Sequence, residues 1–110
     1  MKRTYIKDLK ENIGTEVSIS GWVDVVRDQG KMVFFDFRDM TGKVQGVALP
    51  GNAELVTLAR SIKNECVVKV GGKVNKRPEK MVNEKVQNGD IELEILNIEI
   101  LNKAETLPFD

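Results

Sequence analysis

The stretch VRDQGKMVFFDFRD, Val26 to Asp39, carries three of the chain's four phenylalanines. Successive side chains of a strand point to opposite faces. From Met32 onward one parity reads Met32, Phe34, Asp36, Arg38, and the other reads Val33, Phe35, Phe37. The second set makes a core face, which leaves Phe34 among charges. A ring so placed can seat an unpaired nucleobase, a stacking interaction of about 1–3 kcal/mol per base. It can equally cover one side of a barrel, or be turned inward by a bulge. The pattern alone leaves these readings open.

Other polar residues could join Phe34 in that chemistry. Gln45, in KVQGV, points outward on the following strand if Val44 faces in, and its amide offers both donor and acceptor to a base edge. Arg27 sits where the first strand enters its turn and can pair with a phosphate or a base edge. Glu92 is an outward carboxylate on the last strand, able to accept from base amino and imino groups. Each also has a plain reading: a solvated amide, a surface arginine paired with a nearby aspartate, a solvated charge. Lys69, Lys73, Lys76, Arg77, Lys80 and Lys85 outnumber Glu79 and Glu84 in the same segment, a local basic excess that by itself describes a solvated face.

Other chemistries lack their motifs. There is no histidine, so neither a Ser/His/Asp nor a Cys/His set exists. The GGK at Gly71 to Lys73 lacks the spacing of a phosphate-binding GxxxxGK[ST] loop. Cys66 is the single cysteine, which rules out an internal disulfide and a His/Cys metal site and suits a reducing compartment. In ECVVKV it reads as a small core residue. The 17 basic and 17 acidic residues cancel, so no global field demands a polyanion or a membrane. The N-terminus has no apolar signal core, and no apolar run approaches the roughly 18 residues of a membrane span. The expectation is a cytoplasmic chain without cofactor.

The elements that must hold these residues follow from periodicity. A length of 110 residues, 41% hydrophobic and 31% charged, fits a single domain over residues 1–110. YIKDLKENIG suits one or two helical turns or an irregular lead-in, ended by Gly14. EVSISGWVDVVRD alternates Val17, Ile19, Gly21, Val23, Val25 on one face, a long strand bent at Gly21. A turn with Gly30 at its tip leads to a second strand in KMVFFDFRD, and DMTGK turns into a third, KVQGVALP. NAELVTLARSIKNE then changes period, with Leu55, Leu58, Ala59 and Ile62 on one helical face and Asn52 as N-cap. CVVKVGGKVNKR is a fourth strand, with a bend allowed at Gly71 and Gly72. A long polar loop begins at Pro78, and IELEILNIEIL is the fifth strand, whose parity drifts near Asn97 as at a bulge or a strand end. The predicted fold is all-β with one helix: a five-stranded OB-fold Greek-key barrel, the helix lying between strands 3 and 4.

The combination GWV, RD.G, F.D.RD..G.VQ and ILN.A..LP, spread over essentially the whole chain, closely resembles the N-terminal anticodon-binding domain of class II aspartyl-tRNA synthetases, within the aspartyl, asparaginyl and lysyl group. The ending ILNKAETLPFD favours the aspartyl member. The resemblance implies that Phe34 stacks on the central anticodon uridine, that Gln45 reads the same base, that Arg27 contacts the anticodon and that Glu92 helps discriminate neighbouring bases. Lys76, Arg77 and Lys80 are then expected on backbone phosphates. The partner implied is a tRNA anticodon stem-loop; the isolated domain is expected to be monomeric, the parent enzyme a homodimer. No catalytic domain is expected in this chain, so ATP and aspartate lie outside its reach. Val25 and Val26 depart from the basic run that bacterial members often carry there, and Met81-Val82 from the usual polar residues. They leave room for a rival reading, a protein-binding module or engineered scaffold gripping its partner with Phe34, Met32, Met81 and valines.

Overall fold

The computed structural model describes residues 2–102, and at position 102 the backbone alone. Its elements run β1 (Lys2–Arg3), a 3-10 helix (Ile6–Asn12), β2 (Glu16–Asp28), β3 (Val33–Asp39), β4 (Gly42–Ala48), α1 (Ala53–Ser61), β5 (Val67–Lys76), a 3-10 turn (Glu79–Met81) and β6 (Ile91–Asn102). Residues 103–110, which carry the end of the ILNKAETLPFD motif, lie outside the described residues.

β2 organises the barrel by pairing twice. Its first half lies antiparallel to β5, Glu16 opposite Lys73 and Trp22 opposite Val67. Its second half lies antiparallel to β3, Trp22 opposite Arg38 and Asp28 opposite Val33. β3 turns into β4, and β6 fits between β4 and β5, so the circuit β2–β3–β4–β6–β5–β2 closes. This is the expected five-stranded OB-fold barrel, with α1 between its third and fourth strands; the two residues of β1 are added in parallel outside β2. The expected bend at Gly21 has a steric cause: a Cβ there would sit 2.3 Å from the Arg38 carbonyl oxygen, so the two strands cross closer than any side chain permits. At the β2–β3 turn Gly30 adopts φ +84, a left-handed conformation open to glycine, and donates its N–H to Asp28 Oδ1 at 2.8 Å.

The core is the inward parity of the five barrel strands. Val17, Ile19, Val23, Val33, Phe35, Phe37, Val44, Val70, Val74, Ile91 and Leu93 are all buried, and the Phe35 and Phe37 rings stack with centroids 5.2 Å apart. Cys66 joins this cluster as expected. Asn52 caps α1, its Oδ1 accepting from the Leu55 N–H at 3.0 Å. The helix buries Leu55, Val56 and Ala59, with Ile62 just past its end, but Leu58 is 38% exposed, contrary to the sequence expectation. The buried stripe is rotated toward Val56, which the pattern reading left out.

Two strands depart from simple alternation. In β6, Gly71 faces Asn97 while Gly72 faces Ile95, so Leu96 is looped out: of the bulge or strand end that the parity drift near Asn97 allows, it is the bulge. In β2, Val23 faces Phe37 while Val25 faces Asp36, so Asp24 is a bulge that alternation did not reveal. It corrects the reading of Val25 as a core residue: Val25 lies on the outer face beside Asp36, and Val26 is the one packed against the core.

Candidate nucleic-acid interface

The bulge at Asp24 decides where Arg27 points. Continuous alternation from Val17 would send Arg27 inward; the extra residue flips the parity, and Arg27 emerges on the outer face directly opposite Phe34. Phe34 in turn faces Val47 on β4. It is half-buried and absent from the core cluster, so its ring belongs to the outer wall. Asp36 lies between Val25 on β2 and Gln45 on β4. β4 and β6 run parallel with Gly46 opposite Leu93, which brings Glu92 level with Gln45 on the neighbouring strand, opposite Asn75 of β5.

Side chains lock part of this face together. The Arg27 guanidinium meets Asp36 as a fork, Nη1 donating to Oδ2 and Nη2 to Oδ1, each at 3.2 Å. Nη2 also donates to Gln45 Oε1 at 3.4 Å. These three residues line a cleft of about 310 Å³ with Lys43, Val44, Arg77, Asn83, Val86 and Gln87. Toward the other end of the wall, Asp24 holds Lys43 Nζ at 3.3 Å and Arg38 Nη2 at 3.9 Å, and the Arg38 guanidinium lies 4.8 Å from the centre of the Trp22 ring. The cleft thus offers three cationic side chains, two primary amides of glutamine and one of asparagine, against the single carboxylate of Asp36. Such a wall can hydrogen-bond a polar ligand, with Arg27 already paired to Asp36 and Lys43 to Asp24.

The loop from 77 to 90 forms the opposite wall, and side chains fasten it to β4. Gln87 Oε1 accepts from the Lys43 N–H at 3.2 Å, while Asn88 Nδ2 donates to the Lys43 carbonyl at 2.7 Å. Asn88 is buried and also reaches the Ile6 carbonyl at 3.5 Å. β6 pairs with β4 at Gly46 and Val47, so these two amides complete the backbone bonding of β4 where β6 has left it.

Of the residues singled out from sequence, Arg27, Gln45 and Arg77 therefore share one cleft. Arg77 is oriented by its own loop, Nε donating to the Ile91 carbonyl at 2.9 Å and Nη1 to the Met81 carbonyl at 3.4 Å. Phe34 and Glu92 stand on the same outer face without lining the cleft; Lys76 and Lys80 are exposed and do not line it either. Sequence reasoning did not single out Asp36, Lys43, Asn83 or Gln87. Asp36 had a signal, since it shares the parity of Phe34. The loop residues had none, because a polar segment without period gives no orientation.

The family model described as OB-fold nucleic acid binding domain, of the tRNA anticodon class, matches residues 17–101. The chain belongs to this family. Among curated relatives of this OB-fold domain, the aspartate–tRNA(Asp/Asn) ligase of Hydrogenobaculum sp. is 44% identical over 111 residues, covering 99% of this chain and 19% of the ligase. The chain therefore spans about a fifth of the length of such relatives. Among solved structures, the aspartyl-tRNA synthetase of Entamoeba histolytica superposes with a TM-score of 0.81 at 25% identity, covering 99% of this chain and 23% of that one. The OBody AM3L09, solved bound to hen egg-white lysozyme, matches with a TM-score of 0.79 at 23% identity over 94% of this chain and 98% of its own, a likeness of fold alone. This OB-fold domain is thus of the kind that aspartyl- and asparaginyl-tRNA synthetases carry.

Proposed function

We propose that this domain binds the anticodon loop of a tRNA, as the recognition domain of an aspartate–tRNA ligase working in the cytoplasm. The central uracil stacks on Phe34, Gln45 and Arg27 hydrogen-bond to it, and Glu92 reads neighbouring bases. Arg77, Lys76 and Lys80 meet backbone phosphates, which position the loop while base contacts specify it. The observation that carries this reading is the gathering of Arg27, Gln45 and Arg77 on one cleft, beside an aromatic ring kept out of the core. Stacking on splayed single-stranded bases is the usual device of RNA recognition. The ligase reaction belongs to the longer protein.

Titration with an RNA hairpin carrying uracil at the centre of its loop tests this, at low and moderate salt. Binding is expected, weakening as salt rises, and weakening further by about 1–3 kcal/mol in Phe34→Ala. A specific feature favours one rival: Met81 is 56% and Val86 50% exposed on the loop beside the cleft, an apolar surface suited to a protein partner. A folded chain that binds no RNA at any salt would turn the assignment to that rival.

A further inference from the structure

Arg27 does more in this structure than face solvent. Both oxygens of Asp36 accept from it, and its Nη2 also reaches Gln45 Oε1. A guanidinium has donors and no acceptor, so the amide atom turned toward it must be the oxygen. The orientation of the Gln45 amide is therefore set by chemistry. With Oε1 committed to Arg27, the planar amide directs Nε2 and its two N–H donors away from Arg27. Asp36 sits directly opposite Gln45 in the β3–β4 ladder, and both oxygens of its carboxylate are taken up by the fork of Arg27.

We infer that Asp36 is a positioning residue which, through Arg27, holds the Gln45 amide with its N–H donors toward the cleft, so that this position selects a base presenting a carbonyl over one presenting an amine. The inference rests on the RNA-binding reading above and sharpens it. Uracil offers O4 as an acceptor to Gln45 Nε2. Cytosine offers the N4 amine at the same place, and two donors then oppose one another. Asp36 touches no base in this scheme. Its negative charge opposes RNA binding in general, so removing it has two separable effects: a change in overall affinity shared by all sequences, and a change in preference between bases.

The preference is what the test reads. The 110-residue chain is titrated with two RNA hairpins differing only in uracil or cytosine at the loop centre. The unmutated chain is expected to favour uracil on the order of tenfold. Asp36→Asn should bring the two hairpins together, whichever way overall affinity moves. Gln45→Glu, whose side chain carries acceptors alone when ionised, should favour cytosine. A second readout needs no RNA: in the side-chain amide NMR spectrum, the Gln45 N–H pair should shift on Asp36→Asn and on Arg27→Lys. Uracil preference unchanged in Asp36→Asn, or an unmoved Gln45 resonance, overturns the relay while RNA binding stands. Failure of the unmutated chain to bind either hairpin overturns the RNA-binding reading and this inference together.

Discussion

Arg27 and Phe34 face each other across the β2–β3 ladder, yet the arginine leans toward Asp36, two residues along β3, at 3.2 Å. The ring keeps its flank of the wall while the guanidinium is drawn toward β4. A flat apolar seat and a hydrogen-bonding group thereby stand side by side on one rigid sheet.

Phe34 and Phe35 are adjacent in sequence and opposite in consequence. Phe34→Ala should leave stability nearly unchanged and weaken hairpin binding by about 1–3 kcal/mol. Phe35→Ala empties a fully buried position against Phe37 and should cost about 3–5 kcal/mol of folding stability. Denaturant unfolding of the two variants, beside a hairpin titration of the first, checks both.

Lys76 and Lys80 are exposed and do not line the cleft. Replacing either with alanine should weaken binding of the uracil and cytosine hairpins to the same degree. The slope of log affinity against log salt should become shallower by about 0.7 for each phosphate no longer neutralised. A salt series on each variant reads this directly; a change in base preference would count against a phosphate role.

Asp39 is 8% exposed, and its carboxylate gathers the turn after β3. Oδ1 accepts from the N–H groups of Thr41 at 2.7 Å and Gly42 at 3.1 Å, and Oδ2 from the Ile6 N–H at 2.9 Å. Asp39→Ala leaves these donors without their partner and should lower stability by about 2–3 kcal/mol. Thermal unfolding gives the number. Amide exchange should show the Ile6–Asn12 segment loosened first.

Leu58 and Leu55 make a matched pair on α1. Leu55→Ala empties a buried position and should cost about 2–5 kcal/mol. Leu58→Ala, at an exposed helix position, should change stability by no more than about 0.5 kcal/mol in either direction. Equal losses in the two variants would show that the helix packs on a different stripe.

Alternation carried the barrel because each strand buries one face, and residues such as Val33, Phe35 and Phe37 repeat every second position. It placed Phe34 on the outer wall for the same reason. It failed at Asp24, where valines at 23, 25 and 26 supply an apolar residue to either parity and hide the extra residue between them. The outward Arg27 depends on that hidden residue, so its direction was not legible. At α1 the mixture of Leu55, Val56, Leu58 and Ala59 supports two overlapping stripes, and only packing chooses between them. Gln87 and Asn88 fasten a loop whose sequence has no period, so their partner Lys43, more than 40 positions away, could not be named from the chain.

That fastening divides the loop into two legs of unequal freedom. The outgoing leg, Glu79 to Val86, is exposed throughout, whereas the return leg is riveted to a strand by two adjacent amides. Randomised side chains should therefore be tolerated on the first and not on the second, while the length of the first is set by the Asn83 N–H, which donates to the Gly89 carbonyl at 2.9 Å. A library meant to retune what this surface grips can be confined to those eight positions, with Gln87-Asn88 left as the hinge pin.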